Sequence, residues 1–235
     1  MLAVLVNVAS VVAGSLIGIA LKNRLSESLQ NAVMTALGLC TVLIGVQTAL
    51  KTQDILCVIL CMALGTLIGE LCRIDDGIES VGSRLKSTFL SGKGGSGRFA
   101  EGFMSASILF CVGSMTIMGS LEAGINGNYS IIYAKSALDF VSSIAFGAAM
   151  GIGVTFSGLF VLVFQGGLTL LAGLVGAALS AEVVNEMSAV GGTVIIGLAV
   201  NMLGLRSERI KVANMLPAVF LPLLYVPLAA WIGSL

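Results

Sequence analysis

The sequence predicts an all-α integral membrane protein of about eight transmembrane helices. In this reading an inverted-topology repeat of three helices (spans 1–3 and 6–8) flanks two intervening helices. Three observations predict it. Of the 235 residues, 57% are hydrophobic and 10% charged, with a mean hydropathy of +1.06, whereas a soluble domain averages about a quarter charged residues. A globule of this size has too little interior to hide so much apolar surface, and a bilayer accommodates it. The apolar residues also gather in runs of about 20, the length that crosses a hydrocarbon core. Finally, Lys and Arg fall almost entirely in alternate connections between those runs.

The spans are expected at Leu2–Leu21, Asn31–Leu50, Ile55–Cys72, Phe103–Leu121, Ile131–Val154, Gly158–Leu179, Met187–Leu205 and Val212–Leu235. The fifth and sixth are divided only by Thr155–Ser157. With eight spans the odd-numbered loops share one side. They carry Lys22, Arg24, Arg73, Arg84, Lys86, Lys93, Arg98, Arg206, Arg209 and Lys211, and the other side keeps only Lys51 and Lys135. Dropping or adding one internal span would destroy this segregation. Basic loops stay cytoplasmic, so both termini are expected outside and the Arg73–Glu101 loop inside. Four segments follow: residues 1–75 as a first membrane repeat, 76–102 as a cytoplasmic linker, 103–156 as a central helix pair and 157–235 as a second repeat. Within the linker, Ile78, Val81, Leu85 and Phe89 share one helical face, the pattern of an interfacial helix. Ser91–Arg98 reads as a flexible Gly/Ser connection.

Several function classes are disfavoured. There is no His, the commonest general base and metal ligand. The five cysteines, Cys40, Cys57, Cys61, Cys72 and Cys111, form no Cys-x-x-Cys pair, and four lie in apolar runs as small hydrophobes. No cofactor or metal is expected. Twelve basic residues balance twelve acidic ones, with no basic tract for nucleic acid. Met1–Val4 lacks the positive start of a signal peptide, so the first run is expected to remain as a helix. The Gly-rich stretch at Ser91–Arg98 is not a phosphate-binding loop: no strand precedes it, and Arg98 and Phe99 stand where Lys and Ser or Thr are required.

The first and last three spans resemble each other. Ala13-Gly14-Ser15-Leu16-Ile17-Gly18 is similar to Ala172-Gly173-Leu174-Val175-Gly176, and Met34-Thr35-Ala36-Leu37-Gly38 to Met187-Ser188-Ala189-Val190-Gly191. Five spans precede the second unit, so the two units run antiparallel. Such inverted repeats characterise secondary transporters, in which each half supplies one gate around a shared site.

The runs Val112-Gly113-Ser114-Met115-Thr116-Ile117-Met118-Gly119-Ser120-Leu121-Glu122-Ala123-Gly124, Ala189-Val190-Gly191-Gly192-Thr193 and Asn214-Met215-Leu216-Pro217-Ala218 resemble those of a bacterial membrane family catalogued as "domain of unknown function 554". The resemblance covers nearly the whole chain and implies a bacterial inner-membrane protein. It supplies no substrate and no activity.

Polar groups in hydrocarbon are costly unless partnered or hydrated, so they mark candidate sites. Gly113, Ser114 and Thr116, with Gly119 and Ser120, interrupt the fourth span near mid-depth and predict a broken helix, whose freed backbone groups bind ions or substrate. Close packing by small residues is the plainer alternative. A second break is expected at Gln165-Gly166-Gly167. Asn7 and Ser10 occupy a similar depth in the first span, and Thr169 falls opposite Ser10 in the repeat. Lys135 and Asp139, spaced i, i+4, share a helix face. Glu122 ends the fourth span nearby. Toward the inner side, Asn201 and Asn214 are gate candidates beside Glu70, and Pro217 kinks the last span. Substrate binding is thus assigned to Asn7, Ser10, Gly113, Ser114, Thr116, Gln165, Gly166, Gly167 and Thr169. Gating or coupling falls to Glu122, Lys135, Asp139, Asn201 and Asn214.

These features favour a secondary transporter of a small solute, an amino acid or an organic anion, with sodium or proton coupling left open. A channel or passive pore is the first alternative, and a polar stripe along its whole length would favour it. A non-transporting assembly or sensory protein is another. A membrane enzyme ranks low, with no nucleophile–base constellation. The expected partners are the lipid bilayer and a small-molecule or ion substrate, not nucleic acid. The many Gly and Ala residues permit the close helix contacts of a homodimer.

Overall fold

The structure, a computed structural model, describes residues 1–22, 27–78, 80, 96–176 and 179–233. The described residues are helical throughout, with short connections. In chain order they form α1 (Leu2–Lys22), α2 (Glu27–Ala49), α3 (Ile55–Cys72), α4 (Ser96–Cys111), α5 (Ser114–Leu121), a π-helical turn (Glu122–Asn126), α6 (Ser130–Met150), α7 (Gly153–Val175), α8 (Ala181–Met202), a 3-10 segment (Val212–Phe220) and α9 (Pro222–Gly233). Six helices are long and apolar enough to cross a membrane. Two bent pairs, α4 with α5 and the 3-10 segment with α9, bring the crossings to eight when each pair counts as one. Of the expected amphipathic face only Ile78 is described; Val81, Leu85 and Phe89, with most of the Gly/Ser connection, lie outside the described residues.

Local chemistry sets the helix ends. Asp54 caps α3 by accepting from Leu56 N at 2.9 Å, and the Ser180 hydroxyl caps α8 through Val183 N at 3.3 Å. Gly151, with φ 82°, makes the turn between α6 and α7, a conformation open to glycine. That turn falls four residues earlier than expected, because Thr155–Ser157 continue α7 while Gly151 supplies the positive φ. Helix α4 begins at Ser96, inside the segment expected to be linker. Its first turns are held by buried Phe99 and Ala100, with the Phe99 ring edge-on to Phe156 at 5.3 Å.

The bend in the fourth span lies where Gly113 predicts it, and α4 and α5 meet at 57°. The broken backbone is partly repaired locally. The Thr116 hydroxyl donates to Phe110 O at 3.0 Å, and Thr116 N and Ile117 N both donate to Gly113 O. The second expected break does not exist, for α7 runs uninterrupted through Gln165, Gly166 and Gly167. Two glycines cost a helix about 2 kcal/mol, less than unpaired backbone groups cost in hydrocarbon. The Thr169 hydroxyl donates to Gln165 O at 2.8 Å and adds no competing backbone geometry. The last span bends by 41° at Leu221, after Pro217 rather than at it; Pro217 sits within the 3-10 segment and Pro222 opens α9.

Packing builds the core around α1, α6, α7 and α8. Helix α1 lies along α6 and α7, α2 along α8, α3 along the 3-10 segment, and α4 along α7. The α1–α6 approach depends on missing side chains: a Cβ at Gly14 would sit 2.5 Å from Phe140 O, and one at Gly18 2.1 Å from Ile144 O. Helix α8 is the most enclosed of the six long helices, whereas α2 and α3 turn most of their apolar surface outward.

The connections sort into two ends. At the basic end, Arg209 pairs with Asp75 at 2.5 Å and Lys211 with Asp76 at 3.2 Å. The Lys22 side chain lies by Gly151, and Phe99 O packs on Gly153. At the opposite end, the 52–54 loop wraps Glu186, and the π-helical turn packs on the end of α7. This arrangement is the one that eight crossings require.

Candidate functional site

Four helices bring the candidate polar residues together beside the bend. From α1, Asn7 is fully buried, and its Nδ2 donates to Oε1 of Gln165 on α7 at 2.9 Å. From α6, Lys135 and Asp139 form an ion pair with side chains only 6% and 10% exposed. The Asn7 amide also lies against the Asp139 carboxylate. From the α4 end, the Phe110 ring faces Lys135, with Nζ 5.9 Å from its centroid, and buried Cys111 is within electrostatic reach of both charges. The pair therefore abuts the residues that precede Gly113.

The group is not fully satisfied. Asn7 Oδ1, an acceptor, and Gln165 Nε2, a donor, are buried with no hydrogen-bond partner among the described residues. The Ser143 hydroxyl, one turn beyond Asp139 on α6, is fully buried and in the same state. Most buried polar groups in proteins are paired, and each unpaired one costs about 1–3 kcal/mol. Three such atoms on one stretch of α1, α6 and α7 are the mark of a place prepared for a ligand or water.

The bend also opens an apolar cleft of about 360 Å³, lined by Ile117, Phe164, Leu168, Met187, Phe220 and Leu224 among others. Aromatic contacts hold α4 to α7 below it, Phe99 to Phe156 and Phe103 to Phe160. Beyond Gly113 the aromatic partner of α7 changes, and Phe220 reaches Phe164 at 6.2 Å. Phe220 and Leu224 are 43% and 71% exposed, so the mouth of the cleft faces sideways, toward lipid.

Other expected residues have other places. Ser10 is half-buried on α1, and among the described residues no hydrogen bond joins it to the central group. Thr116 and Thr169 are buried but spend their hydroxyls on backbone carbonyls. Gly166 is buried and Gly167 faces open space. Ser114 starts α5, and Glu122 starts the π-helical turn. Asn201 staples the loop before the 3-10 segment, exchanging two 2.8 Å bonds with the backbone of Ile210. Asn214 belongs to the basic end: Nδ2 donates to Glu70 Oε2 at 2.5 Å, and Oδ1 accepts from Asp75 N at 2.7 Å. There Lys211 and Arg73 hold the half-buried Asp76 carboxyl below its usual range.

Glu186 escaped assignment to any site. It is 2% exposed and accepts from the Thr52 hydroxyl, Gln53 N and Asp54 N at 2.6, 2.7 and 3.2 Å. It lies about one and a half turns inside α8, immediately before the expected start of the seventh span at Met187. Asp75, also 2% exposed with Oδ1 unpartnered among the described residues, stands at the very end of the expected first repeat and drew no assignment. Among the described residues no three His, Cys, Asp or Glu side chains assemble as metal ligands.

The sequence model of one family, described as a protein of unknown function (DUF554), matches residues 2–227. The chain belongs to the DUF554 family. Its relatives include an uncharacterized membrane protein, YdfK, of Bacillus subtilis, 28% identical over 222 residues, covering 92% of this chain and 91% of that one. Another is the uncharacterized protein YqgA of Escherichia coli K12, 30% identical over 229 residues, covering 96% and 95%. No solved structure matches. Two of the runs that resemble DUF554 proteins meet in space, Val112 packing on Gly191, and Met215 of the third approaches Gly197, one turn beyond Thr193. This DUF554 member is a multi-pass membrane protein.

Proposed function

We propose that this DUF554 protein is a secondary transporter of a small solute in the bacterial inner membrane, binding it between two inverted repeats. The observation that carries the reading is the Asn7–Gln165 pair. One amide comes from each proposed repeat, both are fully buried, and each leaves one polar atom without a partner beside the Lys135–Asp139 ion pair. Such transporters hold substrate near the bilayer midplane, at the interface between their repeats.

Helix packing supports the repeat. Exchanging α1 with α7, α2 with α8, and α3 with the 3-10 segment and α9 maps each of these contacting pairs onto itself. Exchanging α6 with α4 as well turns the α1–α6 contact into the α7–α4 contact. The basic end, with Arg73, Arg206, Arg209 and Lys211, is assigned to the cytoplasm. A passive pore is less well supported: past Ser143, α6 itself turns Phe146, Gly147 and Met150 into the core.

Purified protein in liposomes, loaded with sodium, potassium or proton gradients, tests the reading. Uptake of a labelled solute that Asn7→Ala and Gln165→Ala abolish is the expected result. Vesicles that accumulate no solute under any gradient would falsify it.

A further inference from the structure

We infer that the solute is a zwitterion with an apolar side chain, an α-amino acid of the leucine class. Its charged end would lie at the Asn7–Gln165–Lys135–Asp139 group and its side chain in the cleft opened by the Gly113 bend. This rests on the transport reading for what the site is for, but not for what it binds.

The charge argument comes first. The group holds one ammonium, one carboxylate and two neutral amides, all buried. Its net charge is zero. A net anion or cation brought there adds an uncompensated charge in low dielectric, which is far costlier than a paired one. A zwitterion adds none. Its carboxylate is complementary to Lys135 Nζ and to the unpartnered donor Gln165 Nε2. Its ammonium is complementary to Asp139 and to the unpartnered acceptor Asn7 Oδ1. The two orphaned atoms are thus one donor and one acceptor, the set that a zwitterion answers and an organic anion does not.

The second observation is independent of charge. The cleft's wall adjoins the polar group on α7: at 3.6 residues per turn Leu168 and Phe164 lie about 60° and 100° round the helix from Gln165, on the same side. Its 360 Å³ falls at the small end of ligand pockets, about 300–1,000 Å³. Its lining is almost wholly hydrocarbon and aromatic ring. It takes an aliphatic or aromatic group and leaves a hydroxylated or charged one without partners.

The test is a thermal-shift titration of the full chain, purified in detergent, against L-leucine, glycine, L-leucinamide and 4-methylpentanoate, each with sodium and with potassium. A ligand that binds only the folded state raises its melting temperature. Leucine is expected to bind about tenfold to a hundredfold tighter than glycine, the increment of burying its side chain. Leucinamide and 4-methylpentanoate, each with one charge of the pair missing, are expected to give no shift. Leu168→Trp, which fills the cleft, is expected to reduce leucine to the affinity of glycine while the glycine response persists. Should that variant not fold, Met187→Phe fills the cleft from α8. Binding of 4-methylpentanoate or leucinamide as tight as that of leucine overturns the charge argument. Leucine affinity unchanged in both filled variants overturns the place of the side chain. If leucine does not bind while liposomes accumulate another solute, the substrate class fails and transport stands. If leucine binds but vesicles move nothing, the site stands and transport fails.

Discussion

The Thr52 hydroxyl donates a 2.6 Å hydrogen bond to Glu186, 134 residues further along the chain. With two backbone N–H groups of the same loop, it gives a buried carboxylate three donors and ties the α2–α3 connection to α8. Tyr225 on α9 donates to Asp54 at 2.8 Å and fastens the same loop from the other side. Glu186→Ala strands donors that a carboxylate had satisfied. It should lower stability by about 2–3 kcal/mol, with Glu186→Gln losing less because an acceptor oxygen remains. Denaturant titration in detergent, followed by Trp231 fluorescence, checks the order; equal losses in both variants contradict it.

Lys135 and Asp139 should behave as a unit. Lys135→Met or Asp139→Leu alone leaves one buried charge unpaired and should cost about 3–5 kcal/mol. The double variant removes both charges, so its loss should be well below the sum of the two, and close to neutral if the site repacks. A double-mutant cycle of melting temperatures measures this. Ligand binding should be lost in all three variants, which separates the fold's need for the pair from the site's.

The glycines of the spans divide into two kinds. Gly166→Ala and Gly167→Ala should each stabilise the protein by about 0.5–1 kcal/mol, since α7 is continuous there and a Cβ meets nothing closer than 3.6 Å. Gly69→Ala should do the reverse. Its Cβ would sit 1.9 Å from Asn214 O, an overpacking that costs about 1–3 kcal/mol or more. Melting temperatures of the three variants decide it, and a destabilised Gly167→Ala would show that the flat helix face at this point is wrong.

Thr116→Val removes the hydroxyl that answers Phe110 O at the bend. The loss should be about 1–3 kcal/mol, the cost of a buried carbonyl left unpaired. Thr169→Val should cost less, because Gln165 O keeps its place in the helix ladder. Comparable losses would mean that the Gly113 bend is held by packing alone.

Orientation has its own test. In a cysteine-free background, Asn128→Cys should react with a membrane-impermeant maleimide on intact cells, and Arg206→Cys only after permeabilisation. The reverse pattern would invert the assigned topology.

Much of this was legible in the sequence, for a physical reason in each case. Hydrocarbon admits only helices and closed barrels, and apolar runs of about 20 residues fit helices, so run length revealed the spans. The i, i+4 rule placed Lys135 against Asp139 because both lie on one helix. Gly113 and Thr116 gave the bend because a break needs both freedom and a local donor. Gln165–Gly167 carried the same composition and misled, because the backbone's need for partners outweighs glycine's preference. The Asn7–Gln165 bond joins residues 158 positions apart; similar depth suggested it, but only packing could make it. Glu186 and Asp75 were missed because their value comes from loops that fold over them, and periodicity is silent about loops.

The 3-10 winding of Val212–Phe220 has a consequence for reach. A crossing bent by 41° loses projected length. As plain α-helix, nine residues followed by the twelve of α9 would project about 27 Å along the first segment's axis, short of a hydrocarbon core of about 30 Å. Wound at about 2.0 Å per residue, the same nine lengthen the projection to about 32 Å. The tighter coil restores the span that the elbow takes away, and a return to α-helix would leave the last crossing too short for the bilayer.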